Sequence, residues 1–205
     1  MLKLKIEIKE LARKDHNKAI DFAIKGMNFN RYTENKLGLY LYGRYFLNSE
    51  LERASQVLAA YTGDRLVGVL MADMKAEPKM NTSFWSKLYV KMVNFAMSLV
   101  KVGLDSYDEA NKAMFNEYSK NANPDGEICF FAVDPTIQGK GIGTLLLEEL
   151  GRHEKGKLVY LYTDDNCNYL FYEYKGFERL GEKEIKMGFG KETVSLTCFL
   201  YSKQL

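Results

Sequence analysis

One stretch constrains this chain more than any other: ICFFAVDPTIQGKGIGTLLLEELGRH, Ile128 to His153. An apolar run ends at Asp134-Pro135, glycines follow at 139, 141 and 143, and leucines then recur at helical spacing. The pattern is that of a strand, a flexible turn and an amphipathic helix. Glycine near a helix entrance costs roughly 1 kcal/mol against alanine, so three in five residues need a reason. One reason is a tight strand-to-helix turn with no ligand. The other is chemical. Without Cβ atoms the backbone can turn its N–H groups one way and let a ligand approach. Added to the positive end of the helix, those amides make an anion site, to which Lys140 contributes a full charge.

Two familiar phosphate-binding patterns are excluded. A P-loop needs Gly-Lys followed by Ser or Thr, and here Gly139-Lys140 is followed by Gly141. A G-x-G-x-x-G fingerprint would need glycine at Thr144 or Leu146. What remains is Gln138-x-x-Gly141-x-Gly143 between a strand and a helix.

The 205 residues suit a single domain, 1–205, and their 46% hydrophobic and 27% charged content is that of a soluble globular protein. A net charge of +2 gives no basis for a nucleic-acid or membrane partner. The start alternates Leu2, Leu4, Ile6 and Ile8 with charged residues, a half-buried strand and not a signal peptide. Cys129, Cys167 and Cys198 have no metal-ligand spacing and only His16 and His153 could join them, so a reduced, cytoplasmic protein without a metal is expected.

Asp15 offers an N-cap to a helix carrying Ile20, Ala23, Ile24 and Met27 on one face, and a second helix over about 37–54 is rich in aromatics, Tyr40, Tyr42, Tyr45 and Phe46. Residues 56–74 read as a hairpin turning at Gly63-Asp64. Residues 78–125 interrupt the strands with helical pattern. There Trp85, Leu88, Met92, Phe95, Leu99 and Val102 form one stripe, and Val93, Met97, Val100 and Leu104 nearly fill the opposite face, as in a buried or interfacial helix. Lysines 87, 91 and 101 leave no run long enough to span a bilayer. A further helix is expected from Asp105 or Ser106 to Tyr118. After it come strand 127–133, helix 143–153, strand 157–163, helix 166–175 and strands near 177–186 and 193–202, an α/β layer with some parallel pairing.

The segment FFAVDPTIQGKGIG resembles the signature of the GCN5-related N-acetyltransferases, Arg/Gln-x-x-Gly-x-Gly/Ala after a strand ending in an apolar-Val-x-Pro segment. The YTGDRLVGVL hairpin and NYLFYEYKGF fall in the family's order, so the resemblance covers most of the chain apart from 78–125. It implies an acyl-CoA N-acyltransferase fold: a mixed, mostly antiparallel sheet of about six or seven strands with a splayed parallel pair, flanked by helices, plus the helical insertion. It further implies acetyl-CoA as cosubstrate, its pyrophosphate held by amides from Gln138 through Gly139, Lys140, Gly141, Ile142 and Gly143 to Thr144. The pantetheine arm would pair with Phe131, Ala132 and Val133 as a peptide adds to a sheet edge.

The resemblance also places an acid. In Phe171-Tyr172-x-x-x-Gly176-Phe177, Tyr172 falls on the tyrosine that protonates the departing thiolate. Glu127, six residues before Val133, matches a glutamate that some relatives use as general base through water. Strict alternation puts Glu127, Cys129, Phe131 and Val133 on one face, unless a bulge flips part of the set. Where the family carries an asparagine seven residues before the tyrosine, this chain has Asp165, and Asn168 is the nearby replacement. Cys129 could carry an acyl group, but a cysteine in an apolar strand is more often an inert core residue. The expected activity is direct transfer of acetyl to a primary amine, a small molecule. The alternatives are acetylation of a protein amino group or a non-catalytic acyl-CoA sensor, and the 84–104 helix is left open as a homodimer surface.

Overall fold

The computed structural model describes residues 5–29, 35–80, 82–99, 105–137, 139–189 and 192–205. Leu2, Leu4, Val100, Lys101, Val102, Leu104 and Gln138 lie outside them. Strand β1 (Glu7–Lys9) is followed by helices α1 (His16–Gly26) and α2 (Lys36–Arg53), the hairpin β2 (Gln56–Thr62) and β3 (Arg65–Met74), and helices α3 (Phe84–Leu99) and α4 (Asp105–Tyr118). Then come β4 (Gly126–Val133), α5 (Ile142–His153), β5 (Leu158–Asp164), the short α6 (Leu170–Tyr174), β6 (Glu178–Phe189) and β7 (Glu192–Gln204). The hairpin turns where expected, with Gly63 at φ +58°. Asp15 precedes α1 without capping it, because its carboxylate accepts from the Tyr61 hydroxyl at 2.9 Å. The helix expected over 166–175 shrinks to five residues.

Seven strands form one sheet in the order β1-β2-β3-β4-β5-β7-β6, antiparallel throughout except for β4 and β5. Apolar periodicity sends each helix to one face. Ala19, Ile20, Phe22 and Ala23 of α1 and Leu47 and Leu51 of α2 bury against Phe130 and Ala132 on the first face. On the second face Ile142, Leu146, Leu147 and Leu150 of α5 bury against Leu70, Val159 and Leu161. Each such leucine contributes about 1.5–3 kcal/mol by leaving water. Helix α4 packs Ala110, Met114 and Tyr118 against Cys198 and Leu200 of β7. Phe115 also stacks on Tyr160 of β5 at 4.9 Å, which places α4 on the same face as α2.

Helix α2's aromatics are mostly structural. Tyr42 and Phe46 set their edges against Phe29, and Phe46 meets Phe130 at 5.7 Å, all within the first core.

Candidate active site

The glycine turn is anchored at its start by a buried carboxylate. Asp134 ends β4, its amide donating to Val67 O at 2.9 Å. Its side chain accepts from Arg65 Nη2 at 2.7 Å, and from the Thr136 amide and hydroxyl at 3.0 and 2.8 Å. These donors favour the anion and hold its pKa down at about 2 despite burial. Beyond one 3₁₀ turn at Pro135–Ile137, Gly139 and Gly141 adopt φ +76° and +75°. A Cβ at either would meet open space, so the left-handed backbone alone demands glycine there. Gly143 is glycine for a different reason, since a Cβ there would stand 3.1 Å from the Phe171 ring. The first bond of α5 is Leu145 N to Gly141 O, 3.0 Å. The amides of Gly143 and Thr144 before it meet no acceptor among the described residues, the condition for an anion seat at a helix N-terminus.

Beside this turn the sheet opens. Strands β4 and β5 pair only at Gly126 with Val159 and Glu127 with Tyr160, while β4 stays bonded to β3 as far as Val133. The backbone edge of β4 beyond Glu127 therefore faces a gap. A cavity of about 850 Å³ occupies it, bordered by residues 131–133 and 139–144, Asn168, Phe171 and Tyr172. All the expected coenzyme contacts that fall in described residues thus line one space. Gln138 lies outside the described residues.

Residue Cys129 is a bulge. Met71 pairs with Phe130 and Ala72 with Ile128, leaving Cys129 without a partner on β3. Strict alternation therefore breaks: Phe131 and Val133 pack with the α5 core, whereas Cys129 packs with the α1 and α2 core. Glu127 shares the face of Cys129, since it is bound by Arg53 of α2. The one-residue insertion puts Phe131 and Val133 on one face and Glu127 on the other.

Glu127 sits at the apex of the opening as the last residue of β4 paired with β5, and it is not among the residues that line the cavity. Arg53 and the Tyr160 hydroxyl, the latter at 3.0 Å, both donate to its Oε2. No donor among the described residues reaches Oε1. Arg53 also faces Asp73 at 3.6 Å and Glu50 at 3.7 Å. Glu50 Oε2 is buried without a hydrogen bond, and desolvation raises its pKa to about 7, against the pull of Arg53. Burial and the charge of Glu127 push the Tyr160 and Tyr162 phenols up as well. Glu50, Arg53, Tyr160 and Tyr162 were not singled out in the sequence. Glu50 and Arg53 stand at i and i+3 of α2 but are recognisable only once α2 is docked on β4.

Tyr172 packs its ring 6.3 Å from Phe131 and 5.7 Å from Phe177. Its hydroxyl donates to no acceptor among the described residues, and the residue lines the cavity. Burial raises its pKa, so the phenol keeps its proton at neutral pH. Burial also drives the Cys129 thiol well above its ordinary value, which removes the thiolate that an acyl-enzyme would need. The segment after β5 bridges the gap, with Asn28 Nδ2 donating to Asn166 O at 2.9 Å and the Cys167 thiol reaching Gly26 O at 3.6 Å. Tyr107 of α4 donates to Asp164 at 3.3 Å beside it. No group of three or more acidic, histidine or cysteine side chains among the described residues could hold a metal ion.

Residues 107–179 match the family profile of the acetyltransferase (GNAT) domain. Over 57 residues the chain is 42% identical to the N-alpha-acetyltransferase RimI of Mycobacterium tuberculosis, a match covering 27% of this chain and 36% of the length of that curated relative. Among solved structures, the PaiA N-acetyltransferase of Thermoplasma acidophilum, determined in complex with coenzyme A, superposes with a TM-score of 0.51 at 17% identity, covering 98% of this chain and 99% of that one. Arabidopsis thaliana NAA60, in complex with a bisubstrate analogue, gives 0.56 at 13% identity over 97% of each chain. Both likenesses are of fold.

Proposed function

We propose, from the match of residues 107–179 to the acetyltransferase (GNAT) domain and the likeness of fold, that this chain is an acetyl-CoA-dependent N-acetyltransferase acting on a primary amine. One observation carries the proposal: an unpaired edge of β4 and unbonded amides at the α5 entrance border the same cavity. Those are complementary to the two halves of the coenzyme. Amides from Gly139 to Thr144, with Gln138 and Lys140, would seat the pyrophosphate, and the main chain of Phe131, Ala132 and Val133 would pair with the pantetheine amides. Asn168, on the cavity wall, would add a polar contact to the same arm.

Catalysis divides between the two faces. On the α5 face Tyr172 holds a proton on a free phenol and gives it to the departing sulfur as the C–S bond breaks. On the opposite face Glu127 takes the ammonium proton through water at Oε1, while Arg53 and Tyr160 hold Oε2. The amine nitrogen, freed of that proton, attacks the acetyl carbon directly; as the C–N bond replaces the C–S bond the nitrogen sheds its second proton to water and the Tyr172 phenolate takes one back. The high-pKa thiol of Cys129 supports transfer without an acyl-enzyme.

A small acceptor is the first reading, supported by the joined Asn28 and Asn166 in the wall of the cavity. The local likeness to RimI supports a second reading, a protein amino group. Three free cysteines are in keeping with a cytoplasmic setting.

The test is coenzyme release with acetyl-CoA and a panel of small amines and peptides, for wild type and Tyr172→Phe. Tyr172→Phe should lower kcat about 10²-fold or more with little change in coenzyme affinity. Tight coenzyme binding with no turnover on any amine would instead identify a sensor. An acetyl-CoA titration that left the melting temperature unmoved would remove the coenzyme itself from the proposal.

A further inference from the structure

Among the described residues, helix α3 is covered on one side only. Toward α2 it buries Val90, donates from the Tyr89 hydroxyl to Leu41 O at 3.0 Å, and receives Arg44 over the Tyr89 ring at 4.8 Å. Tyr45 adds a hydrogen bond to Asn94 Oδ1 at 2.5 Å. The other side carries Phe84, Trp85, Leu88, Met92 and Phe95, a single stripe at helical spacing. Phe84 is 71% exposed, Trp85 75% and Met92 63%. Leu37 and Leu41 of α2 are exposed as well, and Leu41 lies beside α3 through its bond to Tyr89.

We propose that this stripe is the two-fold interface of a homodimer, each copy covering the other's α3. The area decides for a second copy. Taking about 150–250 Å² for a fully exposed aromatic side chain, the stripe presents roughly 600 Å², the upper end of what a monomer leaves in one patch and a size that usually marks a functional surface. Leu41, alongside α3, adds to it and brings the surface toward the roughly 800 Å² that each partner of a stable complex contributes. An apolar stripe is also self-complementary, which a two-fold contact requires, whereas a charged patch would not be. The charges agree. Residues 84–99 contain no acid, and their two lysines, Lys87 and Lys91, lie together along one margin of the stripe, where long side chains stay hydrated at a rim. Only two cations on the helix are too few to favour an anionic lipid surface over apolar pairing.

Sedimentation equilibrium and light scattering test the proposal on the whole chain. Wild type should behave as a dimer of the 23.6 kDa chain at micromolar concentration. Trp85→Glu and, separately, Met92→Glu should weaken dimerisation about 100-fold or more, while acetyl-CoA-induced thermal shift and turnover stay as in wild type. Both side chains are exposed, and circular dichroism confirms that the variants fold. A wild type still monomeric at about 100 μM, which would put the dissociation constant above that value, or a dimer that survives both substitutions, overturns the interface. So does a monomer that co-sediments with phosphatidylserine–phosphatidylcholine vesicles and loses that binding in Trp85→Glu, which would give the face to lipid.

Discussion

Replacing Glu50 by Gln should make the protein more stable at alkaline pH, although it deletes a charge that faces Arg53. The carboxyl is buried, its Oε2 has no hydrogen bond, and its pKa stands at about 7 against an ordinary 4.5. A carboxyl whose pKa is raised by folding is held better protonated than ionised. Its contribution is complete below the unfolded pKa, near 4.5, and is lost as pH climbs through about 7. A difference of about 2.5 pH units at about 1.4 kcal/mol each corresponds to roughly 3 kcal/mol between pH 4.5 and pH 8. Gln has the same shape and cannot ionise, so urea titrations from pH 5 to 9 should show wild type losing stability through neutrality while Glu50→Gln stays nearly level. In a chain of this length the gap at pH 8.5 corresponds to about 2–4 °C in Tm per kcal/mol. If both proteins follow the same pH curve, or the variant is the weaker one at pH 8.5, then Arg53 and not desolvation governs Glu50, and the reasoning fails.

Two further substitutions probe the glycine turn. Gly141→Ala places a Cβ at φ +75°, at a cost of about 1–2 kcal/mol, and turns the neighbouring amides; steady-state kinetics should show KM for acetyl-CoA rising at least about 10-fold with a smaller change in kcat, and an unchanged KM would separate the turn from coenzyme binding. Asp134→Asn removes the anion that Arg65 and Thr136 hold at a pKa of about 2. A depressed carboxyl stabilises above its unfolded pKa and loses that contribution as pH falls through about 2, so the variant should be weaker at pH 7 by on the order of 1–2 kcal/mol, discounted because Arg65 reaches solvent. Urea unfolding at pH 7 measures it, and equal midpoints would count against the anchor.

Legibility in the sequence tracked how local each constraint is. The turn at 139–143 could be read because left-handed backbone and close approach each demand glycine, and both demands are met by residues adjacent in the chain. The hairpin at Gly63 and the apolar side of α5 follow from equally short-range rules. The face of Glu127 did not. It depends on whether one residue of β4 is skipped in pairing with β3, and the run ICFFAV is apolar on both faces, so no polar residue marks the flip at Cys129. Glu50 shows the same limit from another side: on α2 alone it is an ordinary charged position, and only docking on β4 makes it a buried acid. Helix α3 gives the reverse case. Its sequence is apolar nearly all round, which predicts cover on both sides, yet among the described residues α2 covers only Val90, Tyr89 and their neighbours. Periodicity records every surface a helix must bury, including those for which the covering atoms belong to another molecule. The stripe of Phe84, Trp85, Leu88 and Met92 is exposed apolar surface of that kind, and the proposed two-fold contact is what would cover it.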